Sequence, residues 1–173
     1  MVILMRNKFL ECGQIMRAHG INGAMVVNHF CDSYEVFASL ECLYLKSGTS
    51  YQKYKIKKCQ PYKTNALVTL EGIDNPEDVT KLRLNYLYCD RDDILKDDDD
   101  YFIVDLIGLP VIDAVTGEKY GVLKDVINQG AQDLYVIKRE EGADAYIPCV
   151  PEFVKEIDID VAIYIAPIEG MIE

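Results

Sequence analysis

Short stretches rich in Val, Ile, Leu and Tyr, cut by turn residues every few positions, set the strongest limit on what this chain can become. Residues 9–17, 24–30, 41–46, 51–62, 66–71 and 86–89 read as strands in the first part of the chain. Residues 109–113, 119–127, 134–139, 143–148 and 161–165 read the same way in the second, with turns at Thr116-Gly117 and Glu141-Gly142. Residues 101–107 suit a short helical or irregular lead-in, and 154–157 either a further strand or a helical turn. One segment departs from the pattern: Asn75 before Pro76, acids at Glu77 and Asp78, and Val79 and Leu82 three apart predict a two-turn helix. Many short strands leave many unpaired edges unless the sheets close. The expectation is therefore a mostly β protein built from small barrels.

Charge divides the chain. Residues 1–96 hold 13 Lys and Arg against 11 Asp and Glu, a balance of +2, and residues 97–173 hold 5 against 18, a balance of −13; together they give the net −11. Four consecutive aspartates at 97–100 follow the polar run Cys89-Asp90-Arg91-Asp92-Asp93. Such a run repels itself and stays extended, and it lacks the alternating ligands and central glycine of a calcium loop. The expected organisation is a barrel at 1–92, an acidic linker at 93–100 and a second barrel at 101–173. A strongly acidic surface repels phosphate and attracts cationic partners, so the second half suits a basic protein better than a nucleic acid.

Several chemistries lack their residues. No run of eighteen apolar residues spans a membrane, and the apolar start of residues 1–5 runs into Arg6 and Lys8, too short for a secretory core. A cytoplasmic protein is expected. The six cysteines then read as buried free thiols, and their spacing, with only His19 and His29 as histidines, does not form a zinc site. Glycines 108, 117, 121 and 130 are expected at strand turns with no helix following, which excludes the phosphate-binding glycine loops. No nucleophile elbow is present. The reading is a non-enzymatic protein without metal or cofactor.

Two places carry candidate contacts. Arg17-Ala18-His19-Gly20-Ile21-Asn22-Gly23 is a turn between two strands bounded by glycines. Arg17 and His19 there either make surface contacts to a partner or, for His19, bond the loop backbone. Lys53-Tyr54-Lys55-Ile56-Lys57-Lys58, flanked by Tyr51 and Tyr62, suits a strand exposed on one face. It reads either as a solvated barrel wall or as a surface where lysines meet phosphates and tyrosines stack.

Four blocks in order carry a family resemblance. Gly13-Gln14-Ile15 with His19-Gly20-Ile21-Asn22-Gly23, and Leu70-Glu71-Gly72-Ile73-Asp74 with Leu87-Tyr88-Cys89-Asp90-Arg91, resemble the N-terminal domain of the RimM family of bacterial ribosome maturation factors. Asp105-Leu106-Ile107-Gly108-Leu109 with Gly121-Val122-Leu123, and Gly130-Ala131-Gln132-Asp133-Leu134 with Ile147-Pro148-Cys149-Val150-Pro151-Glu152-Phe153, are similar to the family's PRC-barrel domain.

The resemblance implies a factor without catalytic activity or cofactor, monomeric when free. It binds immature small ribosomal subunits and a head ribosomal protein, number nineteen of that subunit, and promotes head assembly and rRNA maturation. Partner-binding candidates are Tyr101, Phe102, Asp105, Gly130, Ala131, Gln132 and Asp133. Arg17, His19, Gly20 and Gly23 are candidates for ribosome contact, and the N-terminal domain for contact with ribosomal RNA. The family's aromatic pair is usually Tyr-Tyr, so Phe102 lacks the second hydroxyl, and Ile103 stands where a large aromatic is common. The alternative is a PRC-type interaction module acting outside the ribosome.

Overall fold

The computed structural model describes residues 7–94, 101–128 and 130–172, which fall into two compact units on either side of residue 96. In the first unit, β1 (Phe9–His19), β2 (Ala24–His29), β3 (Cys42–Ser47), β4 (Ser50–Tyr62), β5 (Asn65–Leu70) and β6 (Tyr86–Asp90) close into a barrel in the order β1-β2-β5-β4-β3-β6. Closure falls on β1, which pairs antiparallel with β2 on one side and β6 on the other. The register shifts between Ile15 and Arg17 against β2 and between Glu11 and Gly13 against β6. These bulges bend the strand and raise its twist, so that one strand can turn from one neighbour to the other. Ile15, Met25, Val27, Leu43, Val68, Leu70 and Leu87 fill the interior with no exposed area. Each such burial is worth roughly 1.5–3 kcal/mol.

Two short helices lie on this barrel. In α1 (Tyr34–Ala38), Ser33 caps the N-terminus by accepting from Val36 N at 3.3 Å, and Phe37 is fully buried. The helix at Asn75 is α2 (Pro76–Lys81): Asn75 accepts from Asp78 N at 2.9 Å, Pro76 opens the first turn, and Val79 is buried. The segment just before α2 explains Gly23. At φ +76 that residue meets the backbone of Ile73 and Asp74 so closely that a Cβ would collide with Ile73 O. Arg91–Asp93 form a 3-10 turn after β6, so Asp93 of the expected linker belongs to this unit, while residues 95–100, with the four aspartates, lie outside the described residues.

The second unit begins with α3 (Ile103–Leu106) and continues through β7 (Pro110–Asp113), β8 (Lys119–Asn128), β9 (Asp133–Lys138), β10 (Ala145–Pro148), β11 (Val154–Asp158) and β12 (Ala162–Ile165). Their order is β10-β9-β8-β7-β12-β11, antiparallel throughout except for the parallel pair β12 and β7. Residues 154–157 are thus strand. Both ends of the sheet reach one core: Ile147 of β10 belongs to it, and Val154 and Ile157 of β11 pack against it, around Leu109, Val111, Leu123, Tyr135, Ile163 and Ile165. The protein is mostly β, with one β-sheet barrel unit and one six-stranded unit.

Gly121 does not sit at a turn. It lies inside β8, where a Cβ would run into the carbonyl of Lys138 on β9. The close approach of two backbones, rather than a reversal, is what demands glycine there. The turn that does follow β7 is held by Asp113. Its Oδ1 accepts from Val115 N at 2.8 Å and Thr116 N at 2.7 Å, and its Oδ2 from the Tyr120 hydroxyl at 2.6 Å.

The Tyr120 hydrogen bond, with the backbone donors behind it, lowers the Asp113 carboxyl to about 2, and the same bond pushes the Tyr120 hydroxyl up to about 12. A carboxyl lowered in the fold stabilises it fully above the unfolded value of about 3.9, and the contribution is lost as pH falls through the folded value. The melting-temperature gap between the unaltered protein and Asp113→Asn should therefore shrink as pH falls from about 5 to 2. A gap that stays constant across that window in circular dichroism melts would contradict the assignment.

Candidate functional site

The candidates in the second unit gather around α3 and one end of the sheet. α3 is a single turn: Asp105 N donates to Phe102 O at 2.9 Å, and Ile107 N to Ile103 O at 3.1 Å. It is anchored by Leu106, 4% exposed in the core. With Leu106 turned inward, the rest of the segment faces out: Ile103 is 48% exposed, Val104 47%, Ile107 41% and Tyr101 38%. Phe102 and Asp105 are half-buried. Four large apolar side chains in seven residues are thus exposed together on an acidic unit.

Beside it runs an open groove of about 540 Å³ lined by Tyr101, Cys149, Pro151, Val154, Glu156 and Ile157 among others. The Tyr101 hydroxyl donates to Ile157 O at 3.5 Å, so the ring lies along the outer edge of β11. Cys149 links the groove to the second candidate segment, because Cys149 N donates to Asp133 O at 2.8 Å. Beneath them, burial and a hydrogen bond shared with Cys149 push the Tyr135 hydroxyl well above its ordinary range. Tyr135 is thus a packing residue.

Gly130, Ala131 and Gln132 are exposed between β8 and β9, and Asp133 is half-buried. Asn128 braces the turn: its Nδ2 donates to Asp133 Oδ1 at 3.0 Å, and its Oδ1 accepts from Gly130 N at 3.1 Å, with Gly130 at φ +82. The structure joins Tyr101 to Asp133 through Cys149. Asn128, Val104 and Ile107 were missed by sequence reading. The burial of Leu106 alone among its neighbours is the signal that picks out Val104 and Ile107, and it is visible only in the folded unit.

The first-unit candidates sit on the β1–β2 hairpin. Gly20 at φ +69 has open space around it, whereas Gly23 is packed. Arg17 donates through Nη2 to the Tyr62 hydroxyl at 3.2 Å and lies 5.8 Å from that ring's centre. His19 meets the same ring edge-on at 5.1 Å. Ile21 at the tip is almost wholly exposed. Tyr62, on β4 and separated from β1 in the sheet by β2 and β5, is what gathers Arg17 and His19, a tertiary contact that spacing does not reveal.

Among the described residues no three His, Cys, Asp or Glu side chains are placed to share a metal ion. The cysteines are free; Cys12 and Cys89 are buried and the other four partly so. Inside the barrel Cys12 Sγ donates to Leu87 O at 3.5 Å, and the neighbouring Cys89 thiol together with burial holds the Cys12 thiol far above the ordinary range. Among the described residues no helix is long and apolar enough to cross a membrane.

Leu106 and Ile103 should separate anchor from surface in urea unfolding. Leu106→Ala should cost about 2–5 kcal/mol by leaving a cavity, and Ile103→Ala less than about 0.5 kcal/mol. Equal losses would mean that Ile103 is core.

Comparisons with known proteins match both units. Residues 10–94 match the RimM N-terminal domain, and residues 103–170 the RimM PRC barrel domain. A ribosome maturation factor RimM of Clostridioides difficile is 34% identical over 165 residues, 94% of this chain and 95% of that one. Its counterpart in Alkaliphilus metalliredigens is 35% identical over 171 residues, 96% and 99% of the two chains. Among solved structures, a 16S ribosomal RNA processing protein RimM from Pseudomonas aeruginosa aligns over 92% of this chain and 98% of its own, with TM-score 0.47 and 20% identity. With each unit matching the corresponding domain and relatives alike from end to end, the chain belongs to the RimM family.

Proposed function

We propose that this protein is a non-enzymatic, cytoplasmic ribosome maturation factor whose second unit binds a basic protein of the small-subunit head, number nineteen, on immature subunits. The exposed apolar edge of Tyr101, Ile103, Val104 and Ile107 is the observation that carries the reading. Such an edge on a free protein favours a partner that buries it.

Charge supplies the second half of the argument. Among the described residues of this unit, 13 acidic side chains face 5 basic ones. Acidic groups around an apolar centre steer a cationic protein and exclude RNA, while the apolar contacts set how long it stays. Asp105 and Asp133 bring carboxylates to the edge and the braced turn, with Gly130, Ala131 and Gln132 exposed beside them. Phe102 retains ring area without a hydroxyl. The hairpin of the first unit that bears Arg17, His19, Gly20 and Gly23 is proposed as an additional ribosome contact. Binding energy performs the work: holding the protein in one orientation lets head rRNA fold around it, and no covalent step is required.

The test is capture of the purified head protein, and of immature against mature small subunits, by the full chain. The unaltered chain should prefer immature subunits. Tyr101→Ala with Phe102→Ala should weaken capture of the head protein by at least about fivefold at unchanged melting temperature. Unaltered affinity in a folded double variant would refute the site.

A further inference from the structure

β4 carries a feature that the acidic unit does not use. Residues 42–63 hold six lysines and no acidic residue, in a chain whose net charge is −11. β4 is thirteen residues long, about 40 Å at strand rise. Its pairing fixes which side chains face out. Tyr54 lies opposite fully buried Leu43, and Ile56 opposite buried Leu70, so both turn inward; Tyr51, Lys53 and Lys55 alternate with them outside. The register shift between Ile56 and Lys58 then puts Cys59 opposite buried Val68 and returns Lys58 and Tyr62 to the outer face.

Each end of this row holds aromatic rings against cations. At the start, Phe9 stacks on Tyr51 at 4.2 Å and 25° and tilts on Tyr44 at 4.7 Å, while Tyr88 meets Tyr51 edge-on at 5.1 Å. Lys46 stands 5.9 Å from the Tyr51 ring and Lys53 6.0 Å from the Tyr44 ring. These rings lie outside the barrel, with Leu10, Leu43, Leu45 and Leu87 filling the inside. At the far end Arg17 is 5.8 Å and Lys63 5.9 Å from the centre of the Tyr62 ring, which His19 also meets edge-on at 5.1 Å. Between the two ends, Lys57 is paired with Asp74 at 2.8 Å. Lys55 and Lys58 are exposed and have no carboxylate of a described residue within ion-pairing distance.

We infer that the outer face of β4 is a binding track for single-stranded RNA, with Tyr51 and Tyr62 as stacking platforms at its ends and Lys55 and Lys58 as phosphate contacts between them. A cationic groove tracking the backbone, with aromatic faces for bases, is what sequence-tolerant single-strand binding requires. A duplex keeps its bases stacked and offers no faces to Tyr51 and Tyr62. An acidic protein would satisfy the lysines but leave both platforms unused. The inference goes beyond the protein-binding reading above and stands independently of it.

The experiment is fluorescence anisotropy of the full chain with a labelled RNA of about twelve nucleotides, single-stranded or in a duplex, with no ribosomal protein present. It is repeated from roughly 50 to 200 mM salt. The single strand should bind more tightly than the duplex. Tyr62→Leu and Tyr51→Leu should each weaken it by about fivefold or more, with Tyr51→Phe retaining affinity. Lys55→Gln with Lys58→Gln should flatten the slope of log K against log salt by about 1.4. Absence of binding, equal binding of the duplex, or affinity indifferent to the tyrosines would overturn the track. Capture of the head protein by these same variants stays unchanged if the two surfaces are separate, so the RNA result and the protein result fail independently.

Discussion

A strand that must be hydrogen-bonded on both sides governs the first unit. β1 is shared by β2 and β6, and without that shared strand the barrel would open and leave two long edges. Its two bulges let eleven residues serve both neighbours, and the hairpin they lead into places Gly23 against the backbone of Ile73. Beyond that contact α2 seats Val79 in the core, and on the same hairpin Arg17 and His19 approach Tyr62 of β4. A ring of strands also fixes which side chains are outside, so the lysines of β4 are a consequence of closure as much as of composition.

In the second unit the governing fact is a one-turn helix with a single inward side chain. Leu106 fastens α3 to the core, and a helix so short buries only one residue in four. The remaining apolar residues are left in water at the rim of an acidic sheet. Folding alone gives no return for exposing them; association does. On the proposed reading the apolar edge and the acidic unit act together, the acid speeding encounter with a basic partner and the edge slowing its departure.

Much of this was legible in the residues. Alternation of apolar positions located the strands within a residue or two, and Asn75-Pro76 marked α2, because cap chemistry is local. α1 was not legible: five residues with one buried anchor, Phe37, carry no helical period, and only its fit on the barrel selects it. Gly121 was misplaced because a close backbone approach and a turn both call for glycine. The parallel pairing of β12 with β7 brings together residues some fifty positions apart, which no short-range pattern encodes. At the candidate site, Tyr101 and Asp133 stood out as separate motifs, whereas their connection through Cys149 depends on the fold.

The most direct measurement is calorimetry of the full chain with the basic head protein over a range of temperatures and salt concentrations. Burial of the α3 edge predicts a negative heat-capacity change of binding, made smaller by Ile103→Ala with Ile107→Ala, and an affinity that falls as salt rises. A heat-capacity change unaffected by that double substitution, or an affinity indifferent to salt, would contradict the account.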